Sequence, residues 1–147
     1  MKDKREQIEN FFNLYAERFN KFLVEGVVDA EETSGCFSDC FIESSPVGVI
    51  CGKNDEQFKE VIPQGYAFYK SIGISSMDIV SKDITVLDDY HAMVKVHWNS
   101  AFTGTDSLEG SIQFDVIYFL QTMGEEFKIF AYITGDEQAA LKENGLI

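Results

Sequence analysis

The chain is poor in basic residues: 12 Lys and Arg stand against 25 Asp and Glu, giving a net charge of −13. The only arginines are Arg5 and Arg18. A nucleic-acid surface must supply Lys and Arg to displace counterions from phosphate, so neither nucleic acid nor an anionic membrane is an expected partner. Apolar runs are short as well. None approaches the roughly 18 to 20 residues of a membrane span, and the charged start, MKDKREQIEN, lacks the apolar region of a signal peptide. A cytoplasmic protein is the expectation.

Cysteine and histidine are scarce in a way that limits chemistry. Cys36, Cys40 and Cys51 are an odd number, which argues against a disulfide framework and for free thiols. If the stretch from Cys36 to Cys40 is extended, its sulfurs stand about 13 Å apart, too far to bond or to share a metal. The only histidines, His91 and His97, lie roughly 20 Å apart on one strand by the same arithmetic, so no metal site is expected. Ser45 has no His or Asp at hydrolase spacing, and Gly48 and Gly52 belong to turns rather than to a phosphate-binding loop.

What is abundant is aromatic and apolar: 45% of the 147 residues are hydrophobic and 13 are Phe. That supplies one sizeable core, and the length fits one domain over residues 1–147. Ile8, Phe11, Phe12, Tyr15, Phe19, Phe22 and Leu23 recur at steps of three and four, so residues 4–25 read as an amphipathic helix ended by Gly26. Asp29 with Glu32 starts a short second helix. CFSDCFIESSP and VGVIC read as strands; Asn54 with Gln57 then caps a third helix, in which Pro63 predicts a kink or break. From Ser75 onward come four long strands in an antiparallel meander, then a C-terminal helical turn ending at Gly145. Helices gathered on one side of such a sheet make an α+β roll, with the sheet curved around a hollow.

Alternation leaves two assignments for the strand around Asp115. Either Gln113, Asp115, Ile117 and Phe119 face the hollow, or Phe114, Val116, Tyr118 and Leu120 do. Periodicity leans towards the second. On the preceding strand Val94, Val96 and Trp98 share one face and Lys95, His97 and Asn99 the other, with His97 expected at the exposed face.

The order of these pieces resembles the NTF2-like superfamily with its cystatin-like fold, particularly the ketosteroid-isomerase and SnoaL-like polyketide-cyclase branch. The pieces are a long first helix ending near Gly26, CFSDCFIESSPVG leading to Gly52 and a helix, VKVHWN, an aspartate inside FDVIYF, and FAYI in the last strand. The resemblance implies a cone that admits a small, mostly apolar molecule, no cofactor, and a homodimer through the outer sheet face. In the isomerases a helix Tyr and a neutral sheet carboxyl hold the oxyanion while an Asp before a Pro-x-Gly turn moves the proton. The sheet acid falls on Asp115, which places it inside; the proton-moving position holds Ser45 and the Tyr position holds Phe19. A displaced catalytic set of Asp115, Glu43 as base and Tyr15 as donor is the corresponding expectation. Ligand contacts are expected from Phe19, Ser45, Tyr66, Tyr69, Val96, Trp98, Phe119 and Ile133, although Trp98, Tyr66 and Tyr69 equally suit core packing. Three functions follow from this reading: a binder of a small uncharged molecule, a cofactor-independent isomerase, cyclase or dehydratase, or an interaction domain whose cone is filled by its own side chains.

Overall fold

The computed structural model describes residues 3–104, 106–123 and 126–147. In chain order the elements are α1 (Lys4–Glu25), α2 (Ala30–Ser34), β1 (Phe37–Ser45), β2 (Gly48–Lys53), α3 (Glu56–Ser71), β3 (Ile74–Val86), β4 (His91–Thr103), β5 (Glu109–Met123), β6 (Glu126–Ile133) and α4 (Glu137–Glu143). The six strands form one sheet in the order β2-β1-β6-β5-β4-β3. Every pairing is antiparallel except β1 with β6, which is parallel. The α+β roll expected from the sequence is the observed fold.

The apolar stripe of α1 is the reason the roll closes. Ile8, Phe12, Ala16, Phe19, Phe22 and Leu23 are buried, and Ile8 and Phe12 have no exposed surface at all. Ile8, Phe12 and Ala16 pack on the inner face of the sheet in one cluster with Ala92, Val94, Val96 and Trp98 of β4 and Val116, Tyr118 and Leu120 of β5, while Phe19, Phe22 and Leu23 form a second cluster with Ile74, Phe102, Leu141 and Leu146. Burying an aliphatic or aromatic side chain of this size stabilises a fold by about 1.5–3 kcal/mol, so this layer dominates the packing energy.

Two local expectations change. The α3 cap is Asp55, whose carboxylate accepts from Phe58 N; Asn54 instead donates its amide to Ser34 O at 2.7 Å and Phe37 O at 3.0 Å, tying α2 to β1. Helix α3 also runs on through Pro63, so of the expected kink or break there is no break. Proline removes one backbone donor, and the helix continues past it.

The edge strand β3 is held by a helix side chain. Asn20 of α1 donates Nδ2 to Met77 O at 2.8 Å and accepts from Met77 N at 2.7 Å. One amide thereby satisfies both backbone groups that an edge residue leaves open, as a neighbouring strand would. Replacing Asn20 by Ala strands this pair in a half-buried place, and a loss of about 1–3 kcal/mol is expected. Urea denaturation checks this, as a lowered midpoint with an unchanged slope.

Candidate functional site

Between α1, α3, α4 and the inner face of the sheet lies a cavity of about 410 Å³. Its wall is mostly aromatic: Tyr15 and Phe19 from α1, Tyr66 and Tyr69 from α3, Trp98 from β4, Phe114 and Tyr118 from β5, and Tyr132 from β6. The rings brace one another. Phe19 meets Tyr66 at 4.7 Å between centroids, edge to face, and Tyr15 stands 6.2 Å from Tyr118 and 6.3 Å from Trp98. Such pairs fix side-chain direction and add to the area they bury.

The polar groups of the wall are few. Glu43, Asp136 and Glu137 line it, together with Ser100 and Thr134; among the described residues no Lys, Arg or His does. Glu43 of β1 is the register partner of Tyr132 on β6, so the parallel β1–β6 pairing is what brings that carboxylate to the tyrosine. Desolvation raises the hydroxyls of Tyr15, Tyr66, Tyr69, Tyr118 and Tyr132 above the ordinary phenol range. At Tyr69 and Tyr132 the carboxylates of Glu137 and Glu43 add to the rise by opposing a second negative charge. The tyrosines of this wall therefore act at neutral pH as neutral donors or acceptors. Ser100 is 3% exposed, and its hydroxyl has no hydrogen-bond partner among the described residues.

Six of the residues expected from the sequence come together here: Tyr15, Glu43, Phe19, Tyr66, Tyr69 and Trp98. Others do not. Asp115 lies on the outer face of the sheet, with its side chain 46% exposed, so the displaced set of Asp115, Glu43 and Tyr15 cannot converge on one substrate. The reason is its partner strand. Register pairs Val96 with Val116 and His97 with Asp115, and opposite residues in a sheet share a face. Because Val94, Val96 and Trp98 must be buried, Asp115 is turned out with His97. Phe119 is turned out by the same alternation. Ile133 faces out because a register irregularity between β5 and β6 near Phe119 and Leu120 shifts the phase of β6, so that Tyr132 points in and Ile133 does not. Val96 is inward but fully buried in the core beneath the cavity, and Ser45 sits at the β1–β2 hairpin end, away from the wall. Of the wall residues missed from sequence, Phe114 and Tyr118 were signalled by the apolar row that alternates with Asp115, whereas Tyr132 on β6 is turned in by the β5–β6 register.

Outside, Asp115 belongs to a second polar group. His97 Nδ1 stands 2.6 Å from Asp115 Oδ1 and its Nε2 2.9 Å from Asp83 Oδ2, with Lys95 Nζ at 3.8 Å from Asp115. Each imidazole nitrogen can satisfy a carboxylate only by donating, so the geometry calls for the imidazolium form. Asp83 and then Asp115 raise the His97 pKa above its ordinary value. Among the described residues no group of His, Cys, Asp and Glu is arranged to hold a metal ion, and Cys36, Cys40 and Cys51 are free. No helix among the described residues is long and apolar enough to cross a membrane.

A raised folded-state pKa means that His97 contributes stability in full below the unfolded value of about 6.5 and loses it as pH rises through the folded value. NMR titration is expected to place His97 above that ordinary value, and Asp83→Asn or Asp115→Asn to bring it down.

Comparison with known proteins bears on the fold. The family model for "NTF2-like protein (DUF6841)" matches residues 4–137. No curated protein matches the chain. Among solved structures, an NTF2-like protein with a cystatin-like fold from Novosphingobium aromaticivorans is similar with a TM-score of 0.67 at 13% identity, covering 97% of this chain and 88% of that one. A ketosteroid isomerase-like protein from Erwinia carotovora atroseptica gives 0.63 at 14%, over 92% and 97%. A proposed scytalone dehydratase from Novosphingobium aromaticivorans gives 0.64 at 11%, over 89% and 82%. At such identities the likeness concerns the fold alone.

Proposed function

The chain belongs to the NTF2-like family DUF6841, and from that premise we propose that it is a binding domain for a small, mostly apolar molecule that is not an anion. The observation that carries this reading is the cavity: about 410 Å³, walled by aromatic rings, with a handful of polar groups. This is the volume range and the chemistry of small-molecule sites. A wall with three carboxylates and, among the described residues, no cation repels carboxylate and phosphate ligands. An open cavity of this size is not the filled cone that a pure interaction domain requires.

The finer parts of the reading belong to the same proposal. The whole chain is one domain of the ketosteroid-isomerase and SnoaL-like kind, works in the cytoplasm, and pairs as a homodimer through the outer face of its sheet. Supporting the dimer, Ile117, Phe119, Phe130 and Ile133 share that face and are only half-covered or exposed.

A second reading, a cofactor-independent acid–base enzyme acting on a carbonyl compound, is favoured by Glu43. Its carboxylate opens into the cavity beside Tyr132, whose hydroxyl stays protonated, which is the pairing of base and donor that enolisation needs. Neighbours described as ketosteroid isomerase-like and as a scytalone dehydratase share this fold.

Trp98 is the only tryptophan and lines the cavity, so it reports occupancy directly. Titration with the neutral fluorophore N-phenyl-1-naphthylamine is expected to show saturable energy transfer from Trp98, weakened about ten-fold or more by Ala140→Phe, which fills the cavity from α4. No saturable binding would overturn the proposal. With 2-tetralone in deuterated water, binding without α-hydrogen exchange supports the binder; exchange that is lost in Glu43→Gln supports the enzyme.

A further inference from the structure

Two carboxylates at the cavity have no counter-charge among the described residues. Glu43 comes from β1 and Glu137 from the first turn of α4, and both line the cavity. The ion pairs of the described residues involve Lys59, Lys95, His91 and His97, and neither Glu43 nor Glu137 takes part in one. Asp136, the third acid of the wall, is already used: its carboxylate accepts from Ala139 N and caps α4. Glu43 and Glu137 share one neighbourhood, since each acts on the hydroxyls of both Tyr69 and Tyr132. Arg18 does not neutralise them. Its Nη2 donates to Cys36 Sγ at 2.8 Å and its guanidinium stacks 6.0 Å from the Tyr15 ring, outside the cavity wall.

A second observation points to a ligand independently of the acids. Ser100 is buried on the inner face of β4, lines the same cavity, and its hydroxyl lacks a partner among the described residues. A buried hydroxyl without a partner is costly, and a ligand atom in the cavity would relieve it.

We propose that the ligand of this cavity is an organic ammonium compound: its cationic head sits between Glu43 and Glu137 beside Tyr69 and Tyr132, its aromatic or alicyclic body lies against Trp98, Phe114 and Tyr118, and a polar atom of that body meets Ser100. This rests on the binding reading above and narrows it, from any ligand that is not an anion to one that is a cation. Tyrosine and tryptophan rings attract ammonium groups through their electron-rich faces, and most strongly where water is excluded. Two carboxylates that repel each other gain most from a cation placed between them. The charge of −13 on the whole chain raises the local concentration of cations and speeds their arrival. The expectation of an uncharged ligand rested on the lack of arginine, which weighs only against anions.

The test is a matched series: 2-(2-naphthyl)ethylamine, 2-(2-naphthyl)ethanol and 2-naphthylacetic acid, measured by calorimetry on the full chain at neutral pH. The amine is expected to bind about ten-fold or more tightly than the alcohol, and the acid to bind weakest. Glu43→Gln and Glu137→Gln should each weaken the amine about three- to ten-fold and the alcohol clearly less, so that the ratio between them falls, and the preference should shrink as salt is raised. Ser100→Ala tests the third contact, weakening an amine that carries a ring hydroxyl more than the unsubstituted one. Equal affinity for amine and alcohol, or a preference that survives both Glu variants, overturns the inference. If N-phenyl-1-naphthylamine binds and the amine does not, the cation inference fails while the cavity reading stands. If none of these compounds binds, both fail.

Discussion

The structure depends on one constraint: the face of β4 that carries Ala92, Val94, Val96, Trp98 and Phe102 must lie under α1, because the opposite face carries Lys95 and His97. Turning that strand over would bury two ionisable groups without partners, at a cost of several kcal/mol each, and expose the largest apolar block of the chain. Strand β5 has no such clear preference of its own, since Ile117 and Phe119 on its outer side are as apolar as Val116 and Tyr118 on its inner side. Its orientation is imposed by pairing with β4 over thirteen residue positions, from His91 with Gln121 to Thr103 with Glu109. A one-residue slip would exchange every side chain between core and solvent.

From that constraint follows the separation of the polar groups into two systems. Inside, tyrosines, Ser100, Glu43 and Glu137 surround a cavity with no basic residue in its wall among the described residues. Outside, His97 is clamped between Asp83 and Asp115, with Lys95 close by. The first has acids without a cation and the second is balanced by its own cations. A site that lacks a counter-charge is where a ligand can supply one; a site that contains it is structural.

Irregularities of the sheet do the remaining placement. The phase change in β6 turns Tyr132 inward and Ile133 outward, and the parallel β1–β6 pairing sets Glu43 beside Tyr132. Asn20, bonded to both backbone groups of Met77, holds the far edge against α1. The cavity is thus bounded at one side by a strand whose register is shifted and at the other by a strand fastened to a helix.

The amino-acid sequence by itself determined the elements and their order. The three- and four-residue spacing from Ile8 to Leu23 made α1, the alternation Val94, Val96, Trp98 fixed the faces of β4, and Gly26 and Asp29 set a helix end and a start, because these signals are local and each is read from neighbouring residues. Tyr15, Phe19, Glu43, Tyr66, Tyr69 and Trp98, which the family resemblance singled out, are brought to the cavity wall by the fold. Only the tertiary structure decided the side on which Asp115, Phe119 and Ile133 lie, and that Tyr118, Tyr132, Ser100 and Glu137 complete the wall. Those outcomes depend on strand pairing, register irregularities and the docking of α4, interactions between residues far apart in the chain, and a strand apolar on both faces carries no local mark of which face will be buried.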